Sequence, residues 1–248
     1  MAKKWSLREA VLEATGFDSK RVDSIIMAGE VLVDEVRVTK PGQRISVDSQ
    51  VRVKQMSDYV SRGAYKLLKA IEVFTPVVSG RVCIDGGSST GGFTQVLLQH
   101  GASRVYSVDC GTNQLDYSLR RDPRVVSMEN CRVQDLNLTM LEPVATLGVT
   151  DVSFTSCIPI VEHFFGQLRL EQALILIKPQ FEYSRLRQRL SLSPAFDGIV
   201  TSDVARNQIL DATCEDIIKL GLKLDSRIVE SPIKGTNGNV EYLVCITP

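Results

Sequence analysis

Four side chains that can hold or move a proton stand beside apolar segments. Lys178 follows the wholly apolar run Ala173-Leu174-Ile175-Leu176-Ile177. An amine ending such a run is partly desolvated, which lowers its pKa and suits a general base. The same position equally suits a lysine paired with an acid at a sheet edge. Asp151 ends the preceding, weaker apolar segment. Consecutive strands often lie side by side, so Asp151 faces Lys178 across the strand tips or else caps a following helix. Glu241 opens the last apolar segment, either reaching the same edge or standing exposed. Lys66 precedes Leu67, Leu68 and Ile71 of a helical pattern and either points toward the site or is solvated.

A second group suits a ligand rather than a proton. Val82-Cys83-Ile84-Asp85 leads into Gly86-Gly87-Ser88-Ser89-Thr90-Gly91-Gly92-Phe93-Thr94, a strand, a small-residue turn and a helix start. Small residues let backbone approach a ligand, and a helix N-terminus offers N–H groups. Ser88 breaks the G-x-G-x-x-G dinucleotide fingerprint, and no Lys-Ser/Thr pair completes a phosphate loop. The Asp85 carboxylate disfavours a pyrophosphate and favours a cationic group, as S-adenosylmethionine carries. Asp109 ends the next apolar run, Val105-Tyr106-Ser107-Val108, where an acid about 20 positions beyond the turn commonly holds ribose hydroxyls. The competing reading is a turn whose glycines only permit close helix–strand packing.

These residues need elements to hold them. Strands are expected over 81–85, 104–108, 124–128, 147–150, 173–177, 226–230 and 241–246, mostly separated by helical patterns. That alternation predicts a doubly wound, mainly parallel seven-stranded α/β sheet over 62–248, with ligands at the carboxyl ends of its strands. Residues 183–197 read as a basic, mobile loop. Residues 1–54 read as a separate unit: a helix capped by Ser6 and Glu9, a second helix from Ser19, then short strands at 31–33, 36–38 and 51–54. Residues 55–61 read as a linker.

The 248 residues carry 29 basic and 29 acidic side chains, so net charge gives no argument for nucleic acid or membrane. The six cysteines form no C-x-x-C pair, which points away from a metal site and toward a reducing compartment. Met1-Ala2-Lys3-Lys4-Trp5 has no apolar signal core, and no run approaches a membrane span; both favour the cytoplasm. The first unit and linker hold ten basic and nine acidic residues, so RNA binding there would need Arg8, Lys20, Arg21 and Arg37 gathered on one face.

The motifs Ser-Arg-Gly-x-x-Lys, Asp-x-Gly-x-Ser-x-Gly-Gly-Phe-Thr, Asp-Val-Ser-Phe, Lys-Pro-Gln-Phe-Glu, Ser-Pro-Ile-Lys-Gly and Gly-Asn-x-Glu occur in this order. Together they resemble the TlyA family, also called hemolysin A, of ribosomal RNA 2′-O-methyltransferases. The resemblance implies an S4-like RNA-binding domain followed by an FtsJ-type, Rossmann-like class I methyltransferase domain. It implies that Lys66, Asp151, Lys178 and Glu241 are catalytic. It implies that Asp85, Gly86, Gly87, Ser88, Thr90, Gly91, Gly92, Phe93 and Asp109 bind S-adenosylmethionine. It adds Arg62 to the RNA-contacting residues and makes ribosomal RNA or a ribosomal subunit the partner. Methyl transfer to a ribose hydroxyl, of a cytidine, is the expected activity. A catalytically weak RNA-binding or ribosome-assembly protein is the alternative, and a membrane-active haemolysin a further one.

Overall fold

The central apolar runs of the longer unit alternate their side chains between two buried layers, so they are covered on both faces. The computed structural model describes residues 4–53 and 59–248. Lys54 and positions 55–58 of the expected linker lie outside the described residues. The chain divides into two compact units, Met1–Asp58 and Tyr59–Pro248.

In the first unit, β1 (Lys4–Ser6) runs into α1 (Leu7–Thr15), followed by α2 (Ser19–Met27), β2 (Val31–Val33), β3 (Val36–Val38), β4 (Arg44–Ser46) and β5 (Val51–Val53). Ser6 and Glu9 cap α1 reciprocally, which satisfies two amide groups that the helix start leaves orphaned. β2 pairs antiparallel with β3 and β5, and β1 with β4. The β1–β4 pair was not legible in the sequence, because three-residue strands carry too little alternation. The β2–β3 hairpin turns through Asp34 and Glu35 at φ 50° and 64°. This left-handed pair matches the twist of a two-residue hairpin loop and normally calls for a glycine. Here side chains hold it: Asp34 accepts from the Gln50 N–H, and Glu35 pairs with Arg52. Leu7, Val11, Val22, Ile26 and Val31 form the core.

The second unit begins earlier than the linker reading allowed. The Val60 N–H donates to the Gln95 side chain at 2.7 Å, and the Tyr59 ring meets Tyr65 edge-on. Then come α3 (Ala64–Phe74), β6 (Val82–Gly86), α4 (Gly92–Gln99), β7 (Arg104–Asp109), α5 (Tyr117–Arg120), β8 (Val125–Glu129), β9 (Leu147–Thr150), α6 (Ile158–Glu162), β10 (Gln172–Ile177), α7 (Pro179–Leu186), α8 (Asp203–Lys219), β11 (Lys223–Leu224), β12 (Val229–Glu230) and β13 (Tyr242–Thr247). Strand order is β11-β13-β10-β9-β6-β7-β8, with β12 also on β13. Five strands from β8 to β10 are parallel, and β13 enters antiparallel to β10. The sheet has eight strands, one more than expected, because the run read as 226–230 is replaced by two short edge strands on β13.

Ile84, Tyr106 and Ile175 face α6 and α8, whereas Cys83, Val105 and Leu174 face α3 and α4. The topology reverses between β6 and β9, leaving a crevice at their carboxyl ends. The expected mobile loop is also corrected. Tyr183 to Leu186 belong to α7, and Tyr183 stacks on Phe196 at 3.9 Å, in a cluster with Leu186, Val200 and Ile209. Its basic residues Arg185 and Arg189 are tied to Asp216 of α8.

Candidate active site

Sheet register brings the four charged residues together. Parallel pairing of β9 with β10 sets the strand tips side by side, so Asp151 and Lys178 emerge as neighbours. Antiparallel pairing places Ile177 opposite Tyr242, which brings Glu241 to the same edge. The buried face of α3 supplies Lys66. Lys66 Nζ lies 3.0 Å from Asp151 Oδ2 and 2.8 Å from Glu241 Oε2. Lys178 Nζ lies 2.6 Å from Asp151 Oδ1, an ion pair off the hydrogen-bonding direction, and 4.0 Å from Glu241 Oε1. The four charges alternate around a ring and cancel.

The ring is largely removed from water, with Lys66 8%, Lys178 6% and Glu241 2% exposed. Burial works against the Lys66 ammonium, but the Asp151 and Glu241 carboxylates outweigh it and hold its pKa above the ordinary lysine value. Lys178 adopts the acid-paired form of the two readings left open by sequence, and its Nζ also donates to Ser153 Oγ at 3.0 Å. Gln180 Nε2 donates to Glu241 Oε1 at 3.0 Å. A Cβ at Gly235 would collide with the Glu241 carboxylate, so glycine lets that acid turn inward.

The ring forms one wall of a cavity of about 260 Å³, and the glycine-rich turn forms the other. Gly87, Ser88, Thr90, Gly92 and Phe93 of the expected ligand-binding set line it. Ser61, Gly63, Ser89, Ser153 and Gly235, outside the expected sets, also line it. Each sits inside a motif already noted, but a serine or glycine carries no charge to mark it. Gly86 and Gly91 are packing positions: a Cβ there would strike Val133, or Leu115 and Leu119.

Both acids of the expected ligand set lie off the cavity lining. Asp85 is 1% exposed, and its Oδ2 accepts from the Thr94 hydroxyl at 2.7 Å, itself bonded to Ser107. Asp85 thus sits beneath the N-terminal turn of α4. Burial pushes its carboxyl up to about 7, against the pull of Thr94. Its Oδ1 is buried without a partner, an acceptor whose desolvation is uncompensated. Asp109 ties turn to sheet: Oδ2 accepts the Ser89 N–H at 2.8 Å and Oδ1 the Gly111 N–H at 2.7 Å. A nucleoside with a cationic arm fits this chemistry. The turn supplies hydroxyls and helix-end N–H groups, Asp85 an unused acceptor, and Asp109 further lone pairs.

The expected RNA-contacting residues are all exposed. Arg8 is engaged by Asp23 through two hydrogen bonds, Arg37 donates to the Ala28 carbonyl, and Arg21 lies 3.8 Å over the Phe17 ring. Lys20 follows the Asp18 cap of α2. Arg62 stands between the cavity-lining Ser61 and Gly63.

Residues 59–247 match the model of the FtsJ-like methyltransferases. The chain is 43% identical over 225 residues to hemolysin A of Brachyspira hyodysenteriae, covering 90% of this chain and 91% of that one. It is 34% identical over 239 residues to the 16S/23S rRNA (cytidine-2′-O)-methyltransferase TlyA of Mycobacterium tuberculosis, covering 95% and 87%. A solved structure described as a candidate hemolysin from Streptococcus thermophilus superposes with a TM-score of 0.73 at 33% identity, covering 100% of this chain and 89% of that one. No helix among the described residues is long and apolar enough to cross a membrane.

Proposed function

The chain belongs to the FtsJ-like methyltransferase family, and from that premise we propose that it methylates a ribose 2′-hydroxyl of ribosomal RNA. The observation that carries this reading is the neutral, largely buried ring of Lys66, Asp151, Lys178 and Glu241 opening onto the same cavity as the glycine-rich turn. A ribose hydroxyl is a weak nucleophile, so the site must position it and remove its proton. Bound S-adenosylmethionine supplies an electrophilic methyl on a sulfonium leaving group, with Gly87, Ser88, Thr90, Gly92 and Phe93 lining its place.

Lys178, as an ammonium, holds the hydroxyl oxygen, and its partner Asp151 takes the proton as the oxygen forms its new bond. The negative charge developing on oxygen meets two ammonium groups in a water-poor setting, where fixed charge acts more strongly than in solvent. Glu241 and Asp151 keep both lysines oriented. Lys66, held charged by these acids, steadies the hydroxyl or an adjacent phosphate.

The Phe154 ring, 91% exposed and 5.3 Å from Phe181, offers a stacking face for a base beside Lys178. The relative from M. tuberculosis is named for cytidine modification, and cytidine is the proposed target. The first unit, two capped helices on small antiparallel sheets, is proposed as an S4-like RNA-binding domain using Arg8, Lys20, Arg21 and Arg37, with Arg62 beside the cavity. A cytoplasmic site of action follows from a ribosomal substrate. Incubation with S-adenosylmethionine and ribosomal subunits, followed by mapping of 2′-O-methyl positions, tests the reading. New methylation at a cytidine is expected, and its absence despite cofactor binding would leave an RNA-binding role instead.

A further inference from the structure

The proposed reaction makes no use of one buried acid. Glu182 lies one helical turn beyond Lys178 on α7, is 1% exposed and lies off the cavity lining. Its Oε1 accepts the Cys157 N–H at 2.7 Å. Its Oε2 accepts the Ser156 hydroxyl at 2.7 Å and Arg185 Nε at 3.0 Å. Burying a carboxylate is costly, and an apolar side chain would serve packing alone at least as well.

The residues it holds close an irregular arch. The arch leaves β9 at Asp151, whose N–H donates to the Gly86 carbonyl, and ends at Cys157, where α6 begins. Between these ends Ser153 accepts from Lys178 Nζ, and Phe154 stands at a left-handed φ of 65°, a strained conformation for an aromatic residue. Strain of this kind persists only where surrounding structure holds the segment at both ends.

We propose that Glu182 is a positioning residue: it clamps the 151–157 arch to the helix that follows Lys178, so that Asp151 and Ser153 stay on the Lys178 amine. The proposal rests on the reading of the ring as a methyl-transfer site. The clamp acts through the arch, since Glu182 itself touches Ser156 and Cys157 rather than the ring.

The test compares Glu182→Gln, Glu182→Ala, Ser153→Ala and the Glu182→Ala/Ser153→Ala double variant, using S-adenosylmethionine and ribosomal subunits. Glu182→Ala should lower kcat by about 10- to 100-fold, with KM and cofactor Kd nearly unchanged. Glu182→Gln keeps an acceptor for Cys157 and should fall between Glu182→Ala and the parent. In the Ser153→Ala background, Glu182→Ala should cost less than it does in the parent, because one of the two contacts it protects is already gone. Parental kcat in Glu182→Ala, or fully additive losses in the double variant, would overturn the clamp.

Hydrogen exchange at 152–155 gives a readout independent of turnover and suits Glu182→Gln if Glu182→Ala does not fold. Exchange should rise at least several-fold, and unchanged protection overturns the proposal. Absence of methyl transfer by the parent protein would instead defeat the functional reading, with exchange still deciding the clamp.

Discussion

Charged pairs occur in both units, yet they sit in different solvents. In the first unit Arg8 meets Asp23 and Arg52 meets Glu35, each at 2.6 Å, on side chains that are partly or largely open to water. In the second unit Lys66 and Lys178 meet Asp151 and Glu241 at similar distances with little access to water. Exposed pairs gain little, because water and salt screen them and ordering two long side chains costs entropy. Buried pairs must be complete, since removing one partner strands a desolvated charge. The distance between charges is therefore a poor guide to function, and the solvent around them a better one.

That contrast is best broken at Lys178. Lys178→Ala should lower methyl transfer by about 10³-fold or more while cofactor affinity stays nearly intact. Single-turnover rates and calorimetric titration check this, and appreciable turnover would remove Lys178 from the role of holding the hydroxyl. Lys66→Met should come next, because it leaves both carboxylates short of a counter-charge. Denaturant unfolding should show a loss of about 3–5 kcal/mol; a loss like that of a surface variant would mean water enters the ring.

Asp85 sharpens the comparison through pH. Its folded pKa, about 7, lies above the ordinary 3.8, so the folded cofactor-free protein binds a proton that the unfolded chain has released. Stability from this group is full below about pH 4, falls as pH rises toward 7, and stays low above it. Asp85→Asn should remove that decline. The gap in thermal midpoint between pH 5 and pH 8 should then be smaller than in the parent, and an unchanged gap would show that Asp85 does not titrate there. Asp85→Asn should also weaken cofactor binding, since the unused acceptor loses its charge. The smallest effect belongs to Arg8→Ala, whose thermal midpoint should stay with the parent's, whereas affinity for ribosomal RNA should fall and lose part of its salt dependence. A clear drop in midpoint would make the Arg8–Asp23 pair structural.

Much of this was legible in the chain. Lys178 stood out because a charge ending five apolar residues needs either a chemical role or an acid partner. The capping pair Ser6 and Glu9 was readable because both residues lie within one helical turn. Glu241 was not distinguishable from an exposed strand-end acid, since its burial depends on the glycine at 235 and on α3 behind it. The facing of the Asp85 and Asp109 carboxylates was not legible for a related reason. Both carboxylates turn to local backbone and hydroxyl donors, and no spacing rule reports which way a side chain at a strand tip will face.

By itself the sequence determined the alternation of strands and helices, the glycine-rich turn after the first long strand, and the four charged residues at element ends. These follow from periodicity and residue type, which act over a few positions. Only the tertiary structure decided that Lys66, Asp151, Lys178 and Glu241 close into one neutral ring, that Asp85 lies beneath α4, and that Glu182 reaches back to the arch. Those outcomes depend on strand order and on the exclusion of water, which arise between residues far apart in the chain.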